Sequence, residues 1–199
     1  KSKSMLTVVG AIICSLLLLT TNMLIFTLPA KESDETDSTF EITKSNTILY
    51  VGGSGSGNYT FIQQAVDNAS DGDIVFVYNG VYYENVVIEK SISLIGEQQE
   101  TTIIDGGNIS SVVTMSSVMM NISNFTLQHG GNHGVFIDNA HGATLSHLRI
   151  RQNVNYGIYA ATAINCMIKN NYIFDNTHGI YLDFSSRYCS ILDNQISNN

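Results

Sequence analysis

The chain has 199 residues, 44% of them hydrophobic and 13% charged, which suffices for one ordinary domain or a stretch of a repeat array. Sixteen glycines and a single proline, among many Asn, Ser, Thr, Ile and Val, favour strands and tight turns over helices. The formal net charge is -8 and no cluster of Lys or Arg follows the first three residues, which argues against a nucleic-acid partner, because phosphate binding needs a basic face.

Residues 1–30 are distinct from the rest. Lys1 and Lys3 precede an apolar run from Met5 to Leu28, interrupted at Thr20, Thr21 and Asn22. The segment reads as a signal peptide or an N-terminal membrane anchor. Its core from Met5 to Leu19 has signal-peptide length, and the whole run just spans a bilayer of roughly 30 Å. Leu28 fits a small-residue cleavage site after Ala30 poorly, which leaves the anchor open. Glu32, Asp34, Glu35 and Asp37 follow it, so the charge asymmetry places the remainder outside the cytoplasm, secreted or anchored to the cell surface. Residues 31–46 are polar and acidic and read as a flexible linker. Five Asn-X-Ser/Thr sequons, at Asn58, Asn68, Asn108, Asn121 and Asn124, are acceptors for sugar wherever exported proteins are glycosylated.

The folded part is expected over residues 47–199, with a cap and first rungs over 47–110 and regular rungs over 111–199. In the cap, Ile62, Ala65, Val66 and Ala69 fall at helical spacing, and Thr60 with Gln63 forms a capping box. Such a helix would cover the open apolar end of a repeat column.

From residue 111 the chain repeats itself with a period close to 23. Gly134, Gly157 and Gly179 recur, followed by VF, IY and IY. Ile122, Leu145, Ile168 and Ile191 form a second series, Leu127, Ile150, Ile173 and Ile196 a third, and Asn153, Asn176 and Asn199 a fourth. Apolar residues alternate within each repeat, as in Val135 and Ile137, which is a strand signal. Three short strands per repeat with glycine or asparagine at the corners describe one rung of a parallel β-helix, stacked about 4.8 Å from the next. A leucine-rich repeat has similar length, but its Leu-rich frame is absent. The corner asparagines are expected to take a left-handed backbone and to bond their copies one rung away. The chain stops at Asn199 on a repeat corner, so a longer solenoid, truncated here, is expected.

The segments QQAVDNASDGD, NGVYYENV, KSISLIGE and TTIIDG, together with the repeats, resemble right-handed parallel β-helix proteins of the pectin-lyase-like superfamily. The chain is similar to NosD-type repeat proteins and to exported β-helix proteins of archaea and bacteria over about residues 47–199. The resemblance implies an all-β, right-handed parallel β-helix in an extracytoplasmic setting, and implies function only weakly. Pectin methylesterases share an opening like Gly80 to Val86, but their Gln-Asp-Thr-Leu segment is missing, as are the aspartate motifs of polygalacturonases.

Several residues are candidates for chemistry. Phe136, Tyr159 and Tyr181 occupy one outward position on consecutive rungs, either a platform for sugar rings or a self-stacked ladder. Asp138 and Asp183 fall two rungs apart, about 10 Å, near the upper end of the carboxyl spacing of inverting glycosidases; the plainer reading is solvated turn aspartates. His129 and His133, in HGGNH, are candidate metal ligands or solvated corner residues, and the resemblance to NosD carries no expectation of copper there. Cys166 and Cys189 stand one rung apart, as a disulfide or as stacked core thiols, the second being preferred. No cofactor is implied. The expected function is an exported binding or structural module directed at a polysaccharide or cell-surface glycan, touching the membrane only through the N-terminal segment. The alternative is a polysaccharide lyase, glycoside hydrolase or pectin-esterase-like enzyme whose catalytic rungs lie beyond residue 199.

Overall fold

Alternating side chains make each short strand two-faced, and a two-faced strand with no partner in its own repeat must pair with the next repeat. The computed structural model describes residues 46–199, and the readings of residues 1–45 lie outside the described residues. Eighteen strands pair in parallel into three sheets. Sheet 1 has seven strands, from Ile48–Val51 to Ser190–Leu192. Sheet 2 has six, from Gly80–Tyr83 to Gln195–Ser197, and sheet 3 has five, from Val86–Ile88 to His178–Leu182. The chain visits the sheets in rotation, which makes a parallel β-helix.

The expected series become register columns. Leu49, Val75, Leu94, Ile122, Leu145, Ile168 and Ile191 stand above one another in sheet 1, and the five from Val75 to Ile168 are fully buried. Ile104, Leu127, Ile150, Ile173 and Ile196 do the same in sheet 2. Sheet 3 contributes Val113, Val135, Ile158 and Ile180.

The corner asparagines also stack, with a correction. Asn153 Oδ1 accepts from Gly130 N–H, Asn176 Oδ1 accepts from the backbone and side-chain N–H of Asn153, and Asn199 Oδ1 accepts likewise from Asn176. A second ladder runs from Leu148 N–H through Asn171 to Asn194. The left-handed residues are those just before the ladder positions: Gln152, Asp175 and Asn198, and His147, Asn170 and Asp193, with φ of 51 to 55°. The ladder asparagines turn their amides inward, where the buried backbone needs partners, and the reversal of the chain falls one residue earlier.

The first turn is the irregular one. Its helix, Ile62–Asn68, stands where sheets 2 and 3 have no strand and buries Ile62, Ala65 and Val66 against the column. The Thr60–Gln63 capping box does not form: Phe61 is the N-cap and makes no side-chain cap bond. Glu84, one rung on, caps the helix instead, its two carboxylate oxygens accepting from Ile62 N–H at 2.8 Å and Gln63 N–H at 2.9 Å. At the other end, Lys90 Nζ donates to the carbonyls of Val66, Asp67 and Ala69. Gln63 is thereby free to face Val87 on the edge strand of sheet 3. Its amide accepts from Val87 N–H and donates to Val87 C=O, standing in for a missing strand.

Rung length is not constant. Asn153 to Tyr156 is matched by Asn176 to His178, one residue shorter, and Ala160 to Ile164 is matched by Leu182 to Arg187, one residue longer. The extra residue sits in the turn of residues 183–186, where Asp183 Oδ1 accepts from the N–H groups of Ser185 and Ser186. No helix of the described residues is long and apolar enough to cross a membrane.

Candidate functional site

The outer face of sheet 3 carries six rings. Phe136, Tyr159 and Tyr181 are register partners, as expected, with centroids 5.4 and 5.5 Å apart and planes 7 and 28° from parallel. Beside them runs a second column, His133, Tyr156 and His178, that the sequence reading missed. Tyr156 lies 5.5 Å from His133, 4.8 Å from His178 and 5.5 Å from Tyr159. The i, i+3 pairs His133/Phe136, Tyr156/Tyr159 and His178/Tyr181 recur at the rung period, which was the available signal. Strict alternation would put i and i+3 on opposite faces. Gly157 and Ile158 are both buried and reset the parity, so Tyr156 and Tyr159 share a face. Only glycine fits there: a Cβ on Gly134 would strike Ile150 Cγ2 and approach the Gly157 carbonyl oxygen to 2.6 Å.

The spacing decides how the rings lie. Coplanar neighbours would need about 6.5 Å between centroids, a ring's width plus one van der Waals contact. At 5.4 Å and 7°, Phe136 and Tyr159 must overlap like shingles. In the ladder of Phe136, Tyr159 and Tyr181 each ring shows a strip and an edge to solvent, and of these three Tyr181, 45% exposed, shows the most. His133 is 5% exposed, and burial pushes its pKa below the ordinary histidine value. Its Nδ1 accepts from Tyr156 N–H at 3.4 Å, so the proton of the neutral ring sits on Nε2.

A polar cluster lies on sheet 2. Asp105, Gln128 and Arg151 occupy one register column. Arg151 Nη2 donates to Gln128 Oε1 at 2.7 Å, and Gln128 Nε2 donates to Asp105 Oδ2 at 2.8 Å. Asp105 also accepts from Gly107 N–H and lies 2.8 Å from His129 Nδ1. Burial alone would raise the Asp105 pKa, but the bonds from Gln128, His129 and Gly107 outweigh it and hold the carboxyl below its ordinary value. An ionised Asp105 takes the Nδ1 side of His129 and leaves Nε2 without a bond to the cluster. Among the described residues no hydroxyl or thiol is bonded to that nitrogen. Next to this cluster the Arg149 guanidinium lies 5.2 Å from the centroid of Tyr172 and 5.4 Å from that of Phe174, two rings themselves 4.2 Å apart.

The remaining candidates are dispersed. His129 and His133 are not brought together, since one serves Asp105 and the other the ring patch. Asp183 Oδ1 accepts from Thr162 N–H and from Ser185 and Ser186; burial opposes ionisation slightly, and these bonds more than offset it, lowering the pKa. Asp138 is exposed at the end of the strand Val135–Asp138. Cys166 and Cys189 are free thiols, and Cys166 Sγ donates to the carbonyls of Ala140 and Ile164. Of the sequons, Asn58, Asn68 and Asn121 spend their side-chain N–H on Gly52 O, Gln64 O and Ser93 Oγ. Asn124 and Asn108 take left-handed backbone, and Asn108 is exposed beside Gly107.

Residues 41–199 match the family described as periplasmic copper-binding protein (NosD). A probable pectinesterase/pectinesterase inhibitor 6 of Arabidopsis thaliana is 42% identical over 73 residues, covering 32% of this chain and 13% of that protein. A cell surface glycoprotein of Methanothermus fervidus is 31% identical over 99 residues, 48% of this chain and 16% of that one. The chain thus spans only a small part of the length of these curated relatives. A solved pectin methylesterase from carrot superimposes with a TM-score of 0.47 and 20% identity, covering 75% of this chain and 53% of that chain. The family description names copper, and the donor set of the described residues does not fit it. Among the described residues no three of His, Cys, Asp and Glu converge. Burial raises the Cys166 pKa, whereas copper takes thiolate, and His129 and His133 serve separate clusters. The match extends over four-fifths of the sequence, and the chain belongs to the NosD family.

Proposed function

We propose that this β-helix is an extracytoplasmic binding module for carbohydrate, and that the six-ring face of sheet 3 is its contact surface. The observation that carries this reading is the paired column His133, Tyr156, His178 and Phe136, Tyr159, Tyr181, an aromatic surface three rungs long. Shingled rings offer a glycan apolar strips for the C–H faces of its sugars and a rim of tyrosine hydroxyls and the exposed His178 imidazole for its oxygens, with His133 buried beneath them. The periplasmic family description and the cell-surface relative support the location, and the N-terminal apolar run supports membrane anchorage. The test is a glycan array probed with the whole chain and with Tyr159→Ala and Tyr181→Ala. Weakened binding in both variants is expected, and unchanged binding sinks the proposal.

One observation favours a second reading. The Asp105–His129 pair beside Arg151 and Gln128 has the form of an oriented general base, which suits a hydrolase acting on a polysaccharide or its esters. Incubation with polyuronates and neutral glucans should then release reducing ends or free acid, and His129→Gln should abolish the release.

A further inference from the structure

The first three strands of sheet 1 carry an apolar face that the carbohydrate reading does not use. On the outside of sheet 1, Ile48, Tyr50, Ile74, Phe76, Tyr78 and Ile95 line one shallow groove. Tyr50, Phe76 and Tyr78 pack on one another at 5.3 to 6.0 Å, and Ile48 and Tyr50 remain 44% and 40% exposed. The only polar side-chain atoms that line the groove are the hydroxyls of Tyr50 and Tyr78. Further along the same outer face the residues become Asn121, Ser123, Thr144, Ser146, Met167, Lys169, Ser190 and Leu192, mostly polar. The aromatic and aliphatic groove therefore lies at the end at which the chain enters the solenoid, on the very strand, Ile48–Val51, that residues 1–47 lead into.

We infer that this face lies against a lipid bilayer. The inference rests on the reading of the apolar run Met5 to Leu28 as a membrane segment. Nineteen residues separate Leu28 from Ile48, so the chain length between them is at most about 70 Å. A tethered apolar patch meets the nearest apolar phase at high effective concentration. Tyrosine and phenylalanine between branched aliphatics suit the interface between headgroups and chains, with hydroxyls at the wet rim. With a net charge of -8, the bilayer that accepts the face best is a neutral one.

The chain has no tryptophan, so Phe76→Trp supplies a unique reporter in the full-length protein. The protein is reconstituted in phosphatidylcholine vesicles, with and without brominated acyl chains, and floated on a density gradient. Flotation tests the anchor and fluorescence tests the face. The expected result for Phe76→Trp is a blue shift and loss of most indole emission with brominated lipid, while Val154→Trp, on a distant exposed turn, keeps its emission. Tyr50→Trp reports the same face should Phe76→Trp disturb the fold. Flotation of the Phe76→Trp protein with its indole unquenched overturns the inference and leaves the anchor intact; failure to float overturns both. Equal quenching of the reporters at positions 76 and 154 also overturns it. So does a reporter at position 76 that is already blue-shifted without vesicles and indifferent to them, by showing that a protein segment covers the groove.

Discussion

Replacing Asn176 with alanine should cost more than any surface substitution on this solenoid. Asn176 is 6% exposed, and its Oδ1 is the acceptor for two donors of Asn153, the backbone N–H at 3.1 Å and Nδ2 at 2.8 Å. Asn153 is itself 3% exposed, so water cannot take over without opening the corner. Two orphaned buried donors at about 1–3 kcal/mol each give a loss near 4 kcal/mol. That is a large share of a total stability of about 5–15 kcal/mol. The loss of the bonds from Asn176 Nδ2 to the carbonyls of Ile150 and Phe174 acts in the same direction. Urea unfolding followed by far-ultraviolet circular dichroism should show a lower midpoint with unchanged slope, and amide exchange at Asn153 should quicken. Gln195→Ala, at an exposed position, serves as reference and should stay within about 0.5 kcal/mol of the parent. A loss below about 1 kcal/mol for Asn176→Ala would refute the reasoning, because it would mean that the ladder's buried donors find other partners at little cost.

Three further outcomes are expected. Glu84→Ala removes both helix-capping oxygens and should lower stability by about 1–2 kcal/mol in thermal melts, with proteolysis appearing first near residues 61–69; Glu84→Gln should lose less. The depressed pKa of His133 means that the unfolded chain binds its proton more readily. Stability from this group is complete above the unfolded value of about 6.5 and is lost as pH falls through the folded value, so His133→Phe should flatten the acid side of the stability curve below about pH 6.5. Thr162 holds a left-handed φ of 55° despite its β-branch, and Asn139 fills the equivalent corner one rung earlier, so Thr162→Asn should raise stability by roughly 1 kcal/mol, read as a higher melting temperature.

The repeated part of this chain could be read because each rung poses the same problem. Every inward column wants an aliphatic residue, and two of the three corners in the last rungs want an amide that bonds its copy. Column membership therefore showed as a period in the residues. Backbone conformation did not, because the left-handed positions accept Gln, Asp, His and Asn alike and leave no single-letter trace. The helix caps were hidden for the opposite reason. Glu84, Lys90 and Gln63 act once each, in a turn that has no copy, so nothing marks them except the structure they join. These residues lie in QQAVDNASDGD, NGVYYENV and KSISLIGE, the segments that carry the resemblance to other β-helix proteins. Their polar groups bind cap to rung, which is why that resemblance speaks to folding and says little about chemistry. The second aromatic column escaped because Gly157 interrupts the alternation on which facing was judged, and the Asp105–His129 pair because one partner belongs to the cap and the other to the repeats.

The turn of residues 183–186 has a practical consequence. There the chain takes in one residue more than the rung below, and the strands on either side still pair in register. Phe184 in that turn is fully exposed. A foreign peptide grafted beside Phe184 would leave on a stalk from the solenoid wall without moving a single column. One residue added inside the strand Met167–Lys169 would instead swap the inner and outer faces of everything between there and the next corner. The fold tolerates growth at its corners and forbids it along its walls, which makes this corner the natural graft point for displaying an epitope or an affinity tag.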